Sequence, residues 1–270
     1  MTPIKIYRIE RQNKILQVLE KNGRIDTADL ASNLQVSKET IRKDIKTLEQ
    51  QSLLRRTHGG AVQISDKEKN REVSSFDIRG RMDINPMEKD KICRLAAKQI
   101  KDGDVVFIDN SSTNIKLIRY IDPSYSVVII TNSVRILLEA EKIEFSNFTI
   151  IMIGGIYRKN YLTCVGEFAR DMSKKLHPNK AFVSCYGIDS AGTMYDMSFY
   201  ELEVKIMMMK SAEVVYLDID HTKFGKIGGT ALGTLESIDF IITDDDSEEN
   251  YTRLCRRNDK QLLVVDNGRD

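Results

Sequence analysis

The chain has 270 residues, 41% of them hydrophobic and 30% charged. That composition excludes a disordered polypeptide, and the length suits one small and one medium domain. No apolar run reaches the roughly 18 residues of a membrane helix and no secretory leader opens the chain, so a cytoplasmic protein with no membrane partner is expected. The net charge of +1 is unevenly distributed. Residues 1–62 hold twelve Lys and Arg against seven Asp and Glu, a net of +5, while the remainder carries −4. A basic head on a mildly acidic body suits a polyanion-binding module joined to one that does not bind, because only the head gains from releasing phosphate counterions.

From Ile9 the apolar positions Ile9, Ile15, Leu16, Val18 and Leu19 recur at helical spacing and stop at Asn22-Gly23, which predicts a first helix with a glycine stop. Asp26 or Thr27 caps a short second helix, Ala28–Leu34, with Asp29 in its first turn. After Gln35-Val36, Ser37 caps a third helix whose inner face is Ile41, Ile45 and Leu48. A short helix, a tight turn and a second helix make a helix-turn-helix, whose second helix enters the major groove by its N-terminal residues. Lys38, Glu39 and Thr40 are therefore expected to read bases, and Ser37, Arg42 and Lys43 to hold phosphates. Leu53–Val62 reads as a glycine-tipped hairpin, a wing that offers Arg55, Arg56 and His58 to the DNA backbone or minor groove. For His58 a purely packing role stays open.

The ordered string Asp26–Val62 carries Val36-Ser37, Thr40-Ile41-Arg42-Lys43-Asp44, Leu48-Glu49 and Arg56-Thr57-His58-Gly59-Gly60-Ala61. It resembles the winged helix-turn-helix of DeoR-family transcription regulators. The resemblance implies double-stranded operator DNA as a partner.

Gln63–Ser75 is polar and charged and reads as a linker between a DNA-binding domain, 1–62, and a second domain, 76–270. Asn85-Pro86-Met87-Glu88 predicts a helix capped at Asn85 and running to about Ile100. Apolar runs then alternate with amphipathic stretches: 105–108, 127–130, 148–153, 181–185, 214–219, 240–242 and 262–265. Strands this apolar, separated by helices, predict an α/β domain with a Rossmann-like, mainly parallel sheet covered on both faces. Ligands in such folds sit beyond the carboxyl ends of the strands. There the chain places Asp109-Asn110-Ser111-Ser112-Thr113, Thr131-Asn132-Ser133, Gly154-Gly155, Gly187-Ile188-Asp189 and Asp220-His221-Thr222-Lys223. Each alone suits a cap or tight turn, but together they suggest a binding crevice.

From Glu88 to Asp244 these loops, in order, resemble the C-terminal domain of the same family, whose fold is similar to ribose-5-phosphate isomerase. The resemblance implies a phosphorylated sugar effector, with Ser111, Ser112, Thr113 and Lys223 on the phosphate and Asn132, Asp189 and Asp220 facing the sugar. The loop residues Asp109, Thr131, Ser133, Gly154 and Gly155 complete the expected site. Two departures stand out: Ser111 occupies a position where the family carries glycine, which questions the loop's shape, and Asn179 replaces an acidic residue. Cys93, Cys164, Cys185 and Cys255 are scattered without CxxC pairing, so reduced thiols and neither metal nor cofactor are expected.

The overall expectation is a non-enzymatic regulator, a repressor of a sugar-metabolism operon, that acts as a homodimer or homotetramer with its heads on paired half-sites. Two alternatives differ in class. An isomerase-like enzyme would use Asp189, Glu201 or Asp220 as base, and a scaffold would only oligomerise.

Overall fold

The structure is a computed structural model that describes residues 8–50, 54–57, 59–62, 78–144 and 147–266. The chain divides into two units, Met1–Ser75 and Phe76–Asp270. The expected linker at 63–75 and the wing residue His58 lie outside the described residues.

In the first unit, helix α1 spans Arg8–Asn22, α2 Thr27–Asn33 and α3 Lys38–Gln50. Ile15, Leu19, Leu30, Ile41, Ile45 and Leu48 bury their side chains in one core, as the helical spacing requires. Asp26 is the cap of α2: its Oδ1 accepts from the amides of Ala28 at 2.6 Å and Asp29 at 3.2 Å. Gln35 turns the chain toward α3 in a left-handed conformation, φ 52°. Ser37 Oγ then accepts from the Thr40 amide at 3.1 Å and caps α3. On the inner side of α3, buried Asp44 forms an ion pair with Arg11 of α1.

The wing has one strand more than its sequence suggests. Strand β1, Arg24–Asp26, precedes α2 and pairs antiparallel with β3, Gly60–Val62, which pairs on its other edge with β2, Arg55–Arg56. Gly60 faces Asp26 so closely that a Cβ there would lie 1.9 Å from the Ile25 carbonyl oxygen, which fixes glycine at this point of the wing.

The second unit is built on a seven-stranded sheet in the order β15-β14-β12-β9-β4-β5-β6. The strands are β4 Val105–Ile108, β5 Val128–Thr131, β6 Thr149–Met152, β9 Lys180–Val183, β12 Val214–Asp218, β14 Phe240–Thr243 and β15 Gln261–Val264. All six pairings are parallel. Alternation along each strand divides the core. Phe107, Ala181, Val183, Val215, Leu217 and Ile241 pack on one face, and Val106, Ile108, Phe182, Tyr216 and Ile242 on the other. Rings of Phe182, Tyr216 and Phe240 stack across three neighbouring strands at 4.8 and 4.9 Å.

The chain runs from β4 outward through β5 and β6, returns to β9 on the other side of β4, and continues outward to β15. Winding therefore reverses between β4 and β9, and the loops that leave their C-terminal ends diverge there, opening a crevice.

Smaller elements frame this crevice. Strands β7 Ile156–Arg158 and β8 Thr163–Val165 form a ribbon, and β10 Gly187–Ile188, β11 Thr193–Asp196 and β13 Thr230–Thr234 an antiparallel sheet. A helix spans Phe199–Ser211, and the helix after Asn85 runs from Pro86 to Ala97 and ends before Ile100. Asn85 does not cap it: its backbone is left-handed and its side chain makes no capping bond. Instead Asn85 Nδ2 donates to Asp220 Oδ1 at 3.1 Å and Thr222 Oγ1 at 3.3 Å.

Candidate functional site

Two sites emerge, one in each unit. In the head, the start of α3 and the wing face one groove of roughly 250 Å³ lined by Lys38, Arg42 and Arg56, with Asp26 and Gly60 at its base. Ser37, Lys38, Glu39, Arg42, Lys43, Arg55 and Arg56 are all exposed. Thr40 is half-buried, and its hydroxyl lies 2.8 Å from Ser37 Oγ. Glu49 ties α3 to the wing by accepting from the Arg56 amide at 3.0 Å.

In the body, a cleft opens where the winding reverses. Ser111, Ser112 and Thr113 from the loop after β4, Ser184 and Cys185 after β9, and Lys223 after β12 line it together. Asp109 stands behind this wall. Its Oδ2 accepts from the Ser184 amide at 3.0 Å, and its Oδ1 from Ser111 N at 3.2 Å and Asn114 Nδ2 at 3.1 Å, so one carboxylate locks both loops. Ser111 sits at negative φ, and its Oγ accepts from the Asn114 amide at 3.0 Å. The loop therefore needs no glycine at that position. Burial pushes the Cys185 thiol up to about 12 against the pull of Lys223, which keeps it protonated.

Positive charge collects at the mouth of the cleft. Lys89 is buried, and its Nζ donates to the carbonyls of Arg81 and Ile84. Burial and then the charge of Lys223 lower its pKa to about 8. Lys223 is lowered too, mainly by burial, with Arg81 and Lys226 adding to the effect. Arg81 lines the cleft, and its Nε is buried without a hydrogen-bond partner. Against these cations stands Asp220. Burial opposes its ionisation, but bonds from Thr222 and Asn85 and the charges of Lys223 and Lys89 hold its pKa below the usual range. Its Oδ2 is buried and unpaired.

The opposite wall comes from the helix Phe199–Ser211 and from β11. Lys205 Nζ lies 3.0 Å from Asp109 Oδ2, 2.6 Å from Asp196 Oδ2 and 2.7 Å from the Ser184 carbonyl. Burial disfavours this ammonium, yet Asp196 and Asp109 outweigh it and hold its pKa above the ordinary lysine value. Glu201, one turn earlier, accepts from Asn110 Nδ2 at 3.0 Å. Burial and then Asp196 raise its pKa.

Several expected ligand residues are committed elsewhere. Thr131 Oγ1 donates to the Ile108 carbonyl at 2.8 Å and accepts from the Ser133 amide at 3.1 Å. Asn132 Nδ2 donates to the Cys164 carbonyl at 3.1 Å, and Ser133 Oγ to Asn110 Oδ1 at 2.5 Å. Gly154 and Gly155 turn the chain beside β8, where a Cβ on Gly155 would lie 2.6 Å from the Val165 carbonyl oxygen. Asp189 is consumed by its own hairpin, accepting from the amides of Ala191 at 3.0 Å and Thr193 at 2.9 Å and from Tyr195 Oη at 2.9 Å. These residues shape loops and do not line the cleft. Asn179 immediately precedes β9, at the N-terminal ends of the strands and away from the cleft, where its Oδ1 accepts from the Val105 amide at 2.9 Å. An acid missing there takes nothing from the cleft.

Sequence reasoning missed Arg81, Lys89, Asp196 and Lys205. One signal was available: Glu201 and Lys205 stand four residues apart, an acid and a base on one face of a helix rich in apolar residues.

Comparison with known proteins decides the family. The DeoR-like helix-turn-helix domain matches residues 11–67, and the DeoR C terminal sensor domain residues 84–245. This chain belongs to the DeoR family of transcription regulators. Its relatives include the HTH-type transcriptional regulator GolR of Listeria innocua, 31% identical over 89% of this chain and 92% of that protein. The L-fucose operon activator of Haemophilus influenzae is 31% identical over 94% and 99% of the two chains. The transcriptional repressor GlcR of Bacillus subtilis is 32% identical over 98% and 100%. These relatives are transcriptional regulators, and this DeoR protein is a DNA-binding regulator of transcription. Ribose 5-phosphate isomerase A from Methanocaldococcus jannaschii overlaps 50% of this chain and 53% of its own at 17% identity and a TM-score of 0.37. A likeness of that size bears on neither activity nor ligand. Among the described residues no helix is long and apolar enough to cross a membrane.

Proposed function

We propose that this cytoplasmic regulator binds operator DNA through α3 and the wing, and that a phosphorylated sugar in the body cleft controls that binding. One observation carries the effector reading: Arg81 and Lys223 line the cleft with Ser111, Ser112 and Thr113, Lys89 lies within electrostatic reach of both cations, and the carboxylate of Asp220 acts on Lys89 and Lys223. Cations that lower one another's pKa at a desolvated site are stabilised when a phosphate dianion joins them. The hydroxyls supply uncharged donors for the remaining phosphate oxygens.

In the head, Lys38 and Glu39 read base edges from the first turn of α3, while Ser37, Arg42, Lys43, Arg55 and Arg56 hold phosphates. Thr40 spends its hydroxyl on Ser37 and contributes mainly to the cap. Two or four copies place paired heads on a two-fold operator, and the effector shifts the population away from the spacing that fits, by about 1–3 kcal/mol of coupling. The free volume within the cleft is about 10 Å³, so a sugar phosphate enters only by moving its walls. Arg81 belongs to the helix Ile78–Met82, near the start of the second unit in sequence, and motion there is well placed to reach the linker. Repression relieved by the effector is the sign we adopt. No turnover is invoked: the relatives are transcriptional regulators, Lys205 is bound to Asp109 and Asp196, and Asp189 is bound to its own hairpin.

The test is thermal melting of the full chain with phosphorylated sugars and their unphosphorylated parents, followed by operator gel shifts. A phosphorylated ligand at about 100 times its Kd stabilises the body by about 2.7 kcal/mol, and its parent does nothing. That ligand should also release the operator. Stabilisation by parents and phosphates alike, or a stabilising ligand that leaves the gel shift unchanged at saturation, refutes the reading.

A further inference from the structure

The cleft has two unlike walls, and the one remote from Lys223 constrains what the effector carries at its other end. This step rests on the phosphate reading above. An ammonium has three donors, and Lys205 faces three acceptors within 3.0 Å: Asp109, Asp196 and the Ser184 carbonyl. Nothing remains for a ligand. Two carboxylates surround that one ammonium, and Glu201 lies buried beside them with a carboxyl oxygen bonded to Asn110. The wall thus offers acceptors and excess negative charge.

Only Arg81 and Lys223 bring positive charge to the cleft lining without a hydrogen-bonded partner for Arg81 Nε or Lys223 Nζ among the described residues. Arg81 lies within electrostatic reach of Asp196 and Glu201 as well as Lys223. Phosphate at the mouth and the excess carboxylate of the far wall already compete for it. A second anionic group on the ligand would meet Asp196 and Glu201 with no donor left to receive it, whereas a hydroxyl donates to these oxygens directly.

We propose that the effector is the monophosphate of an uncharged polyol, and that the wall formed by Asp196, Glu201 and Lys205 rejects phosphorylated sugar acids of the same skeleton.

Matched pairs test this in melting titrations of the full-length protein: glucose 6-phosphate with 6-phosphogluconate, ribose 5-phosphate with 5-phosphoribonate and erythrose 4-phosphate with 4-phosphoerythronate, beside inorganic phosphate alone. The aldose phosphate of at least one pair should bind more than about tenfold tighter than its acid and tighter than inorganic phosphate. Equal or tighter binding of the acids overturns the proposal while leaving the phosphate site standing, as does protection by inorganic phosphate that no aldose phosphate improves. No protection by any of these compounds removes the phosphate reading itself. Asp196→Asn removes one negative charge from the wall while keeping an acceptor for Lys205, so in a folded variant the preference should fall toward parity. An undiminished preference in that variant argues against the wall, and the wild-type pairs decide the matter if the variant does not fold.

Discussion

In the head, Lys38, Arg42, Arg55 and Arg56 stand in water. The acids beside two of them are held loosely, Glu39 at 3.6 Å from Arg42 and Glu49 at 3.7 Å from Arg56. In the body, Lys89 is 4% exposed and Arg81 hides its Nε, so burial and mutual repulsion act on the cations there. Exposed cations keep their hydration until a polyanion arrives, and salt screens what they gain. Buried cations are already desolvated, so one small anion can relieve all of them at once, and their response appears with pH. Within one regulator, the same charge sign serves an extended polymer on one unit and a compact ligand on the other.

The sharpest way to break the comparison is to remove one unit's function and leave the other's. Asp44 has a side chain 3% exposed and pairs with Arg11, itself 11% exposed, and Gln12 Nε2 donates to it at 3.3 Å. Asp44→Ala removes the buried acid that both Arg11 and Gln12 bond in the head core and should cost about 3–5 kcal/mol. Calorimetry should show the head melting early, operator binding lost, and ligand stabilisation of the body intact. A head that melts normally in this variant contradicts the buried pair as its brace.

The converse variant is Lys223→Ala. Losing a half-buried cation from the phosphate cluster should weaken the effector by about 2 kcal/mol, some thirtyfold, with operator affinity unchanged. Titration by melting and by gel shift reads both quantities on one sample. A normal effector response would take Lys223 out of the site.

The pH dependence separates the two kinds of cation. Lys89 has its pKa lowered to about 8, first by burial and then by Lys223. A bound phosphate dianion favours the ammonium and raises that pKa, so above pH 8 binding takes up a proton. Affinity should therefore fall as pH rises past about 8, by up to tenfold per unit, or about 1.4 kcal/mol. Below about pH 6 protonation of the phosphate weakens binding from the other side. Effector affinity should peak between these limits, while operator binding by the exposed head changes little from pH 7 to 9. Lys89→Met, which keeps the stem, should flatten the alkaline limb.

The same contrast explains what could be read from the chain beforehand. The head is a local object: Asp26, Ser37 and the spacing Ile41, Ile45, Leu48 act over a few residues, and each stands in the structure where its pattern puts it. Only β1 escaped, because three residues with one buried side chain carry no period. The seven core strands were legible from apolar runs, but β7, β8, β10, β11 and β13 run over only two to five positions and interleave polar residues or glycine with apolar ones, too short for a period to show. The cleft was legible in half. Ser111, Ser112, Thr113 and Lys223 follow strands whose C-terminal ends converge at the winding reversal, so loop position found them. Arg81 and Lys205 come from helices, and Asp196 from the end of a strand in the small sheet. No rule of loop position reaches these, and their pairing with Asp109 spans 96 and 87 residues for Lys205 and the Asp109–Asp196 couple it bridges. Asp189 misled for the opposite reason: a carboxylate beside Gly187-Ile188 looks free in sequence, yet four residues later the chain folds back and binds it.

The finest distinction lies within the head. Arg42 is 64% exposed and its only close acid among the pairs described is Glu39, equally exposed, so the arginine contributes charge with little fixed geometry. Arg42→Ala should weaken binding to all DNA sequences alike and lower the slope of log affinity against log salt by about 1. Lys38 stands at the first position of α3, where a side chain reaches base edges. Lys38→Ala should instead change which operator variants bind best. Measuring both variants against a panel of single-base operator changes at two salt concentrations sets the two roles apart. If both lose affinity uniformly with the same fall in salt slope, then Lys38 is a phosphate contact like Arg42, and sequence reading must come from Glu39 and the residues beyond it.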